Sequence, residues 1–105
     1  MTSTYSKRAR ELLRSHSAEI HDVLDRYGAS NPRLFGSVAR GTAGPDSDID
    51  ILIDLSGPGL GSQLSRLSGI RLELEELLHS QVDVAYEELL KDGVSEAARR
   101  QAIAL

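Results

Sequence analysis

Gly36-Ser37-Val38-Ala39-Arg40-Gly41-Thr42-Ala43-Gly44-Pro45-Asp46-Ser47-Asp48-Ile49-Asp50-Ile51-Leu52-Ile53-Asp54 is the stretch on which the fold turns. Gly36-Ser37 ends a short apolar approach, Arg33-Leu34-Phe35, which reads as a strand after an Asn31-Pro32 loop. Val38-Ala39-Arg40 has helix-forming composition and Gly41 stops it, while Thr42 to Ser47 is dense in turn residues that return the chain to a sheet. From Asp48 to Leu55 acidic and branched apolar residues first alternate and then give way to apolar ones, as in a strand wet on one face at its start and buried further on. Ser56-Gly57-Pro58-Gly59 terminates that strand.

Working outward, Tyr5, Ala9, Leu12, Leu13, Ile20, Val23, Leu24 and Tyr27 recur at helical spacing, which predicts one amphipathic helix over residues 4–27 capped by Gly28. Leu60, Leu64, Leu67, Leu74, Leu77 and Leu78 predict a second over 62–79. Gln81-Val82-Asp83-Val84-Ala85 reads as a third strand, followed by a short helix from Glu87 to Leu90 and a longer one from Ser95 to Leu105. No repeat, low-complexity run or linker interrupts this order, so residues 1–105 are expected to form a single α/β (α+β) domain of two or three layers.

Composition narrows the function. A chain of 105 residues, 40% hydrophobic and 27% charged, is an ordinary globular domain with room for one modest core. There is no cysteine for a disulfide or a thiolate zinc site. No apolar run approaches a membrane span, and the polar start from Met1 to Arg14 is unlike a signal peptide, so the expected location is cytoplasmic with no membrane partner. The net charge of −4 argues against direct nucleic-acid binding. Between Arg40 and Arg66 there is no cation, yet Asp46, Asp48, Asp50 and Asp54 all fall there, and such crowding calls for water or a bound metal ion.

The strand pattern places Asp48 and Asp50 on one face with Cα atoms roughly 6.5 Å apart. Two carboxylates so spaced can share a hard divalent cation such as Mg²⁺ and leave its other positions for phosphates and water. If the second and third strands are neighbours in register, Asp83 joins them, making a cluster able to hold two ions and to take a proton from an attacking hydroxyl. Gly36-Ser37 at a strand-to-helix turn offers backbone N–H groups to a phosphate. Arg40, one turn on, can reach the same phosphates and offset charge on departing pyrophosphate.

Gly36-Ser37, ten intervening positions and Asp48-Ile49-Asp50 resemble the glycine-serine and paired-aspartate motif of the DNA polymerase beta-like nucleotidyltransferases. The longer string GSVARGTAGPDSDIDILID resembles the minimal nucleotidyltransferase (MNT) antitoxins, over about Asn31 to Tyr86. The resemblance implies a minimal nucleotidyltransferase fold, with a small mixed sheet of about three strands flanked by helices. It implies Asp48, Asp50 and Asp83 as catalytic, Mg²⁺-binding residues, with Asp83 as base. Gly36 and Ser37 would grip the triphosphate, and Arg40 and Ser47 complete the nucleotide-binding candidates. It further implies a type VII-like toxin–antitoxin pair, in which the protein transfers AMP from ATP to a hydroxyl, a tyrosine's, of a helical HEPN-type toxin. Roughly twenty residues follow the third strand, too few for an acceptor-binding domain, which fits a separate partner.

Plainer readings stand beside these. A catalytically inactive antitoxin would neutralise its toxin by binding alone, and a small-molecule transferase of the aminoglycoside-modifying kind would share the metal site. A Gly-Ser turn is a common helix start. Arg40 could pair with Asp46 or Asp48, Asp54 lies ~13 Å along the strand from Asp50 and too far for the same ion, and Arg33 reads as solvated. His16, His21 and His79 lack metal-ligand spacing. Tyr5 and Tyr27 fit the apolar face of the first helix better than a self-modification role.

Overall fold

The apolar positions at helical spacing in the first quarter of the chain fall on two helices rather than one. The computed structural model describes residues 1–56, 62–86, 100 and 102–105. Helix α1 (Thr4–Ser15) and helix α2 (Ser17–Arg26) meet at His16, whose φ of −112° and ψ of 19° break the regular helix. The break has a local cause. Ser15 Oγ donates to the Leu12 carbonyl at 2.9 Å and His16 Nδ1 lies 3.0 Å from that same oxygen, so side chains compete for a helix acceptor. The apolar face survives the kink, because Leu13 of α1 and Ile20, Val23 and Leu24 of α2 enter one core.

Strand β1 (Ala29–Phe35) starts earlier than its apolar end suggests and takes in Asn31 and Pro32. Those two form an irregularity: Asn31 is left-handed at φ 53°, and the register shifts between Ser30 and Arg33. A bulge is where a strand tolerates proline, since no ladder N–H is demanded there. Helix α3 (Gly36–Arg40) follows directly and closes at Gly41 (φ 83°), with Gly41 N–H bonded to Val38 O and Thr42 N–H to Ser37 O, the paired bonds of a Schellman ending.

Strand β2 (Ile49–Leu55) runs antiparallel to β1 and parallel to β3 (Val82–Tyr86), with helix α4 (Gln63–Leu78) as the crossover. Ser62 caps α4 by accepting from Ser65 N–H, and His79 ends it in the left-handed region. A fourth strand, β4 (Ile103–Ala104), pairs with the outer edge of β1, giving the order β3-β2-β1-β4. The α/β class and the mixed sheet are as expected, but the strands number four among the described residues. Residues 103–105 do not continue the terminal helix expected there, since Ile103 and Ala104 satisfy the open edge of β1 and Leu105 N–H bonds Pro32 O. Residues 95–99 and 101 of that segment, the helix expected from Glu87 to Leu90, and Leu60 lie outside the described residues.

Ala29, Leu34, Ile49, Ile51, Ile53, Val82 and Tyr86 of the strands join residues of α1, α2 and α4 in one cluster. Strand parity puts the alternate residues, Asp50, Leu52 and Asp54 of β2 and Asp83 of β3, on the other face. The described residues therefore make two layers, helices on one side of the sheet and carboxylates on the other. None of their helices is long and apolar enough to cross a membrane.

Candidate active site

The site is built where two parallel strands begin. Ile49 N–H bonds Gln81 O, which aligns the starts of β2 and β3, and the ladder then sets Asp50 opposite Asp83. On the other side Phe35 is the partner of Asp50, so the residue before Gly36 lies across from the same carboxylate. Asp48 immediately precedes β2 and is exposed, Asp50 is half-buried, and Asp83 is exposed. The neighbouring strands in register, assumed from the sequence, are thus present.

Gly36 has φ +72°, and a Cβ built on it would stand 2.1 Å from Asp50 Oδ2 and 3.0 Å from Asp50 Cγ. Only glycine allows both the left-handed turn and that approach. Among the described residues no side chain caps the first turn of α3, so its leading N–H groups lack side-chain partners there beside Ser37. Arg40 is exposed and makes no ion pair among the described residues, which removes the purely structural pairing with Asp46 or Asp48. Ser47 serves the turn before Asp48: its Oγ accepts from Gly44 N–H at 2.9 Å.

Burial, the negative charge of Asp83 and that of Asp48 together push the Asp50 carboxyl up to about 6, with Arg40 opposing weakly. The three aspartates are within electrostatic reach of one another, but they do not form a closed cage. Among the described residues no three His, Cys, Asp or Glu side chains are gathered to enclose a metal ion. Hard oxygen donors with uncompensated charge fit a Mg²⁺ ion that arrives with substrate phosphates and water in the rest of its shell.

Asp54 belongs to another arrangement on the same sheet face. It accepts from Arg33 at 2.6 Å and from Asn31 Nδ2 at 3.1 Å, so Arg33 is held rather than solvated. Sequence reading missed Arg66, which is 4% exposed and donates to the carbonyls of Tyr27, Gly28 and Ser56, tying α4 to the start of β1 and the end of β2 where the two strands pair. An arginine at an otherwise apolar helical position was the available signal. Also missed were Ser6 and Arg10, which contact the segment carrying Arg40.

A family model for the nucleotidyltransferase domain matches residues 20–105. The chain is 36% identical over 95 residues to the protein adenylyltransferase MntA of Thermococcus cleftensis, spanning 88% of this chain and 87% of that one. A solved minimal nucleotidyltransferase superposes with a TM-score of 0.76 at 38% identity, over 90% of this chain and 94% of its own. A toxin–antitoxin complex solved with AMP-PNP shares the fold at a TM-score of 0.62 and 21% identity, over 94% of this chain and 70% of that one.

Proposed function

The chain belongs to the nucleotidyltransferase domain family, and from that premise we propose that it transfers AMP from ATP to a hydroxyl of a protein partner, a tyrosine of a HEPN-type toxin. One observation supports this reading above the others: Asp50 faces Asp83 across parallel strands while the backbone of Gly36 packs against the Asp50 carboxylate. A phosphate cradle and an acidic pair so joined are what a triphosphate and its counter-ions require. The naming of the Thermococcus relative as a protein adenylyltransferase, and the AMP-PNP complex of the more distant toxin–antitoxin pair, favour ATP and a toxin partner.

In this reading Asp48, Asp50 and Asp83 would hold Mg²⁺, two ions with the nucleotide bound, and the metal would supply charge neutralisation for the phosphates. Gly36 and Ser37 fix the triphosphate through N–H groups and the Ser37 hydroxyl, with Ser47 at the rim of the same loop. Asp83 accepts the proton of the acceptor hydroxyl as its oxygen bonds to the α-phosphorus. The bond from that phosphorus to the β-phosphate bridging oxygen breaks, and pyrophosphate departs with its charge offset by Arg40.

The test is to incubate the protein and its helical partner with ATP and Mg²⁺ and weigh the intact partner. A gain of AMP mass, absent with the Asp48→Asn/Asp50→Asn variant, is expected. A stable complex without mass gain, each common nucleoside triphosphate having been tried, would replace the proposal by neutralisation through binding alone.

A further inference from the structure

One face of α1 is polar where it meets the loop that carries the candidate phosphate site. Ser3, Ser6 and Arg10 recur at three and seven positions, hence on one side of the helix start. Ser6 is fully buried, an unusual place for a serine, and its Oγ accepts from Ala43 N–H at 3.0 Å. Ser3 Oγ lies 2.8 Å from both Ser6 Oγ and the Ala43 carbonyl, and Ser3 N–H donates to Gly41 O at 2.8 Å. Arg10 Nε donates to Val38 O at 3.1 Å and its Nη2 to Ala39 O at 2.8 Å.

These contacts converge on Val38 to Ala43, the short span between Ser37 and the turn that leads to Asp48. Val38 O also accepts the Gly41 N–H of the Schellman ending, and Ala39 O receives Arg10 at the end of α3, where carbonyls lack helical donors. The span carries Arg40 and joins Ser37 at one end to the turn before Asp48 at the other. No core-packing purpose requires a guanidinium there, since Leu13 already supplies the apolar contact of α1.

We propose that Arg10 and Ser6 are positioning residues for nucleotide binding, holding α3 and the loop after it so that the Gly36–Ser37 turn and Asp48 face one triphosphate. Neither residue touches the nucleotide. The inference rests on the nucleotide-binding reading above, and the experiment separates the two.

Binding of AMP-PNP with Mg²⁺ is measured by calorimetry for the wild type, Arg10→Met, Arg10→Lys, Ser6→Ala and the control Arg14→Met, whose guanidinium pairs with Glu11 on the helix surface. All are measured at one temperature well below the lowest unfolding midpoint, where every variant is fully folded, so that a mere loss of stability leaves the affinity unchanged. Arg10→Met, which keeps the apolar stem, is expected to weaken binding about tenfold, and Ser6→Ala several-fold. Arg10→Lys recovers part of the loss, because an ammonium can still serve one of the two carbonyls, and Arg14→Met matches the wild type. Wild-type affinity in both Arg10→Met and Ser6→Ala would overturn the positioning role while leaving the nucleotide site standing. Should Arg10→Met fail to fold, Ser6→Ala decides alone. Absence of AMP-PNP binding by the wild type would instead overturn the nucleotide reading and this inference with it.

Discussion

Gly36 answers to two constraints at once, a left-handed backbone and the Asp50 carboxylate 2.1 Å from where a Cβ would stand. Gly36→Ala is therefore expected to lower stability by at least about 2 kcal/mol and to abolish transfer, as read by urea unfolding and by the mass of the partner. Arg66 poses a different problem. Its buried guanidinium serves the Tyr27, Gly28 and Ser56 carbonyls, and Gly28 has no room for a side chain because a Cβ would lie 2.6 Å from Arg66 Nη2. Arg66→Met keeps the stem but strands those acceptors, and should cost about 3 kcal/mol in urea unfolding without touching the carboxylates. The motif residues were legible because their chemistry is local: a Gly-Ser turn and Asp48-Ile49-Asp50 carry their spacing in the chain. Arg66 was not, since the carbonyls it serves are between 10 and 39 positions away.

Helix α4 carries a glycine in its interior, which ordinarily weakens a helix by about 1 kcal/mol relative to alanine. Here Gly69 faces the Tyr27 ring, and a Cβ would come within 2.6 Å of Tyr27 Cε1. Gly69→Ala should thus destabilise the protein despite better helix propensity. In a Tyr27→Leu background the same change should turn neutral or stabilising, and thermal melts of the four proteins would expose the reversal of sign. A destabilisation of equal size in both backgrounds would mean that the ring is not what excludes the side chain. Element boundaries were less legible than element types. The break at His16 depends on side chains competing for one carbonyl, and β4 depends on an edge of β1 that exists only once the sheet has formed.

The protein as a whole has opposed proton linkages. Asp50 is raised to about 6 by burial and by Asp83 and Asp48, so between the unfolded value of 3.8 and 6 the native state binds the extra proton and gains stability as pH falls. Glu73 is lowered, first by the hydrogen bond from Tyr27, so its contribution is present above its ordinary value of 4.5 and is lost as pH falls through the lower native value. Melting temperature of the metal-free protein should therefore rise from pH 7 toward about 5 and fall again below about 4. Asp50→Asn should abolish the rise and melt higher than wild type at pH 7, by on the order of 1 kcal/mol after allowance for solvent screening of a half-buried group. Equal melting curves for the variant and wild type across that range would rule out stored repulsion at the carboxylates. The Tyr27–Glu73 contact also has an optical consequence. The chain holds three tyrosines and no tryptophan, and a phenol bonded to a carboxylate loses much of its emission by excited-state proton transfer. Tyr27, which joins the end of α2 to Glu73 of α4, is thus expected to be dark in the native fold and to brighten when those two helices part, so that tyrosine emission in the near ultraviolet should report the opening without a dye.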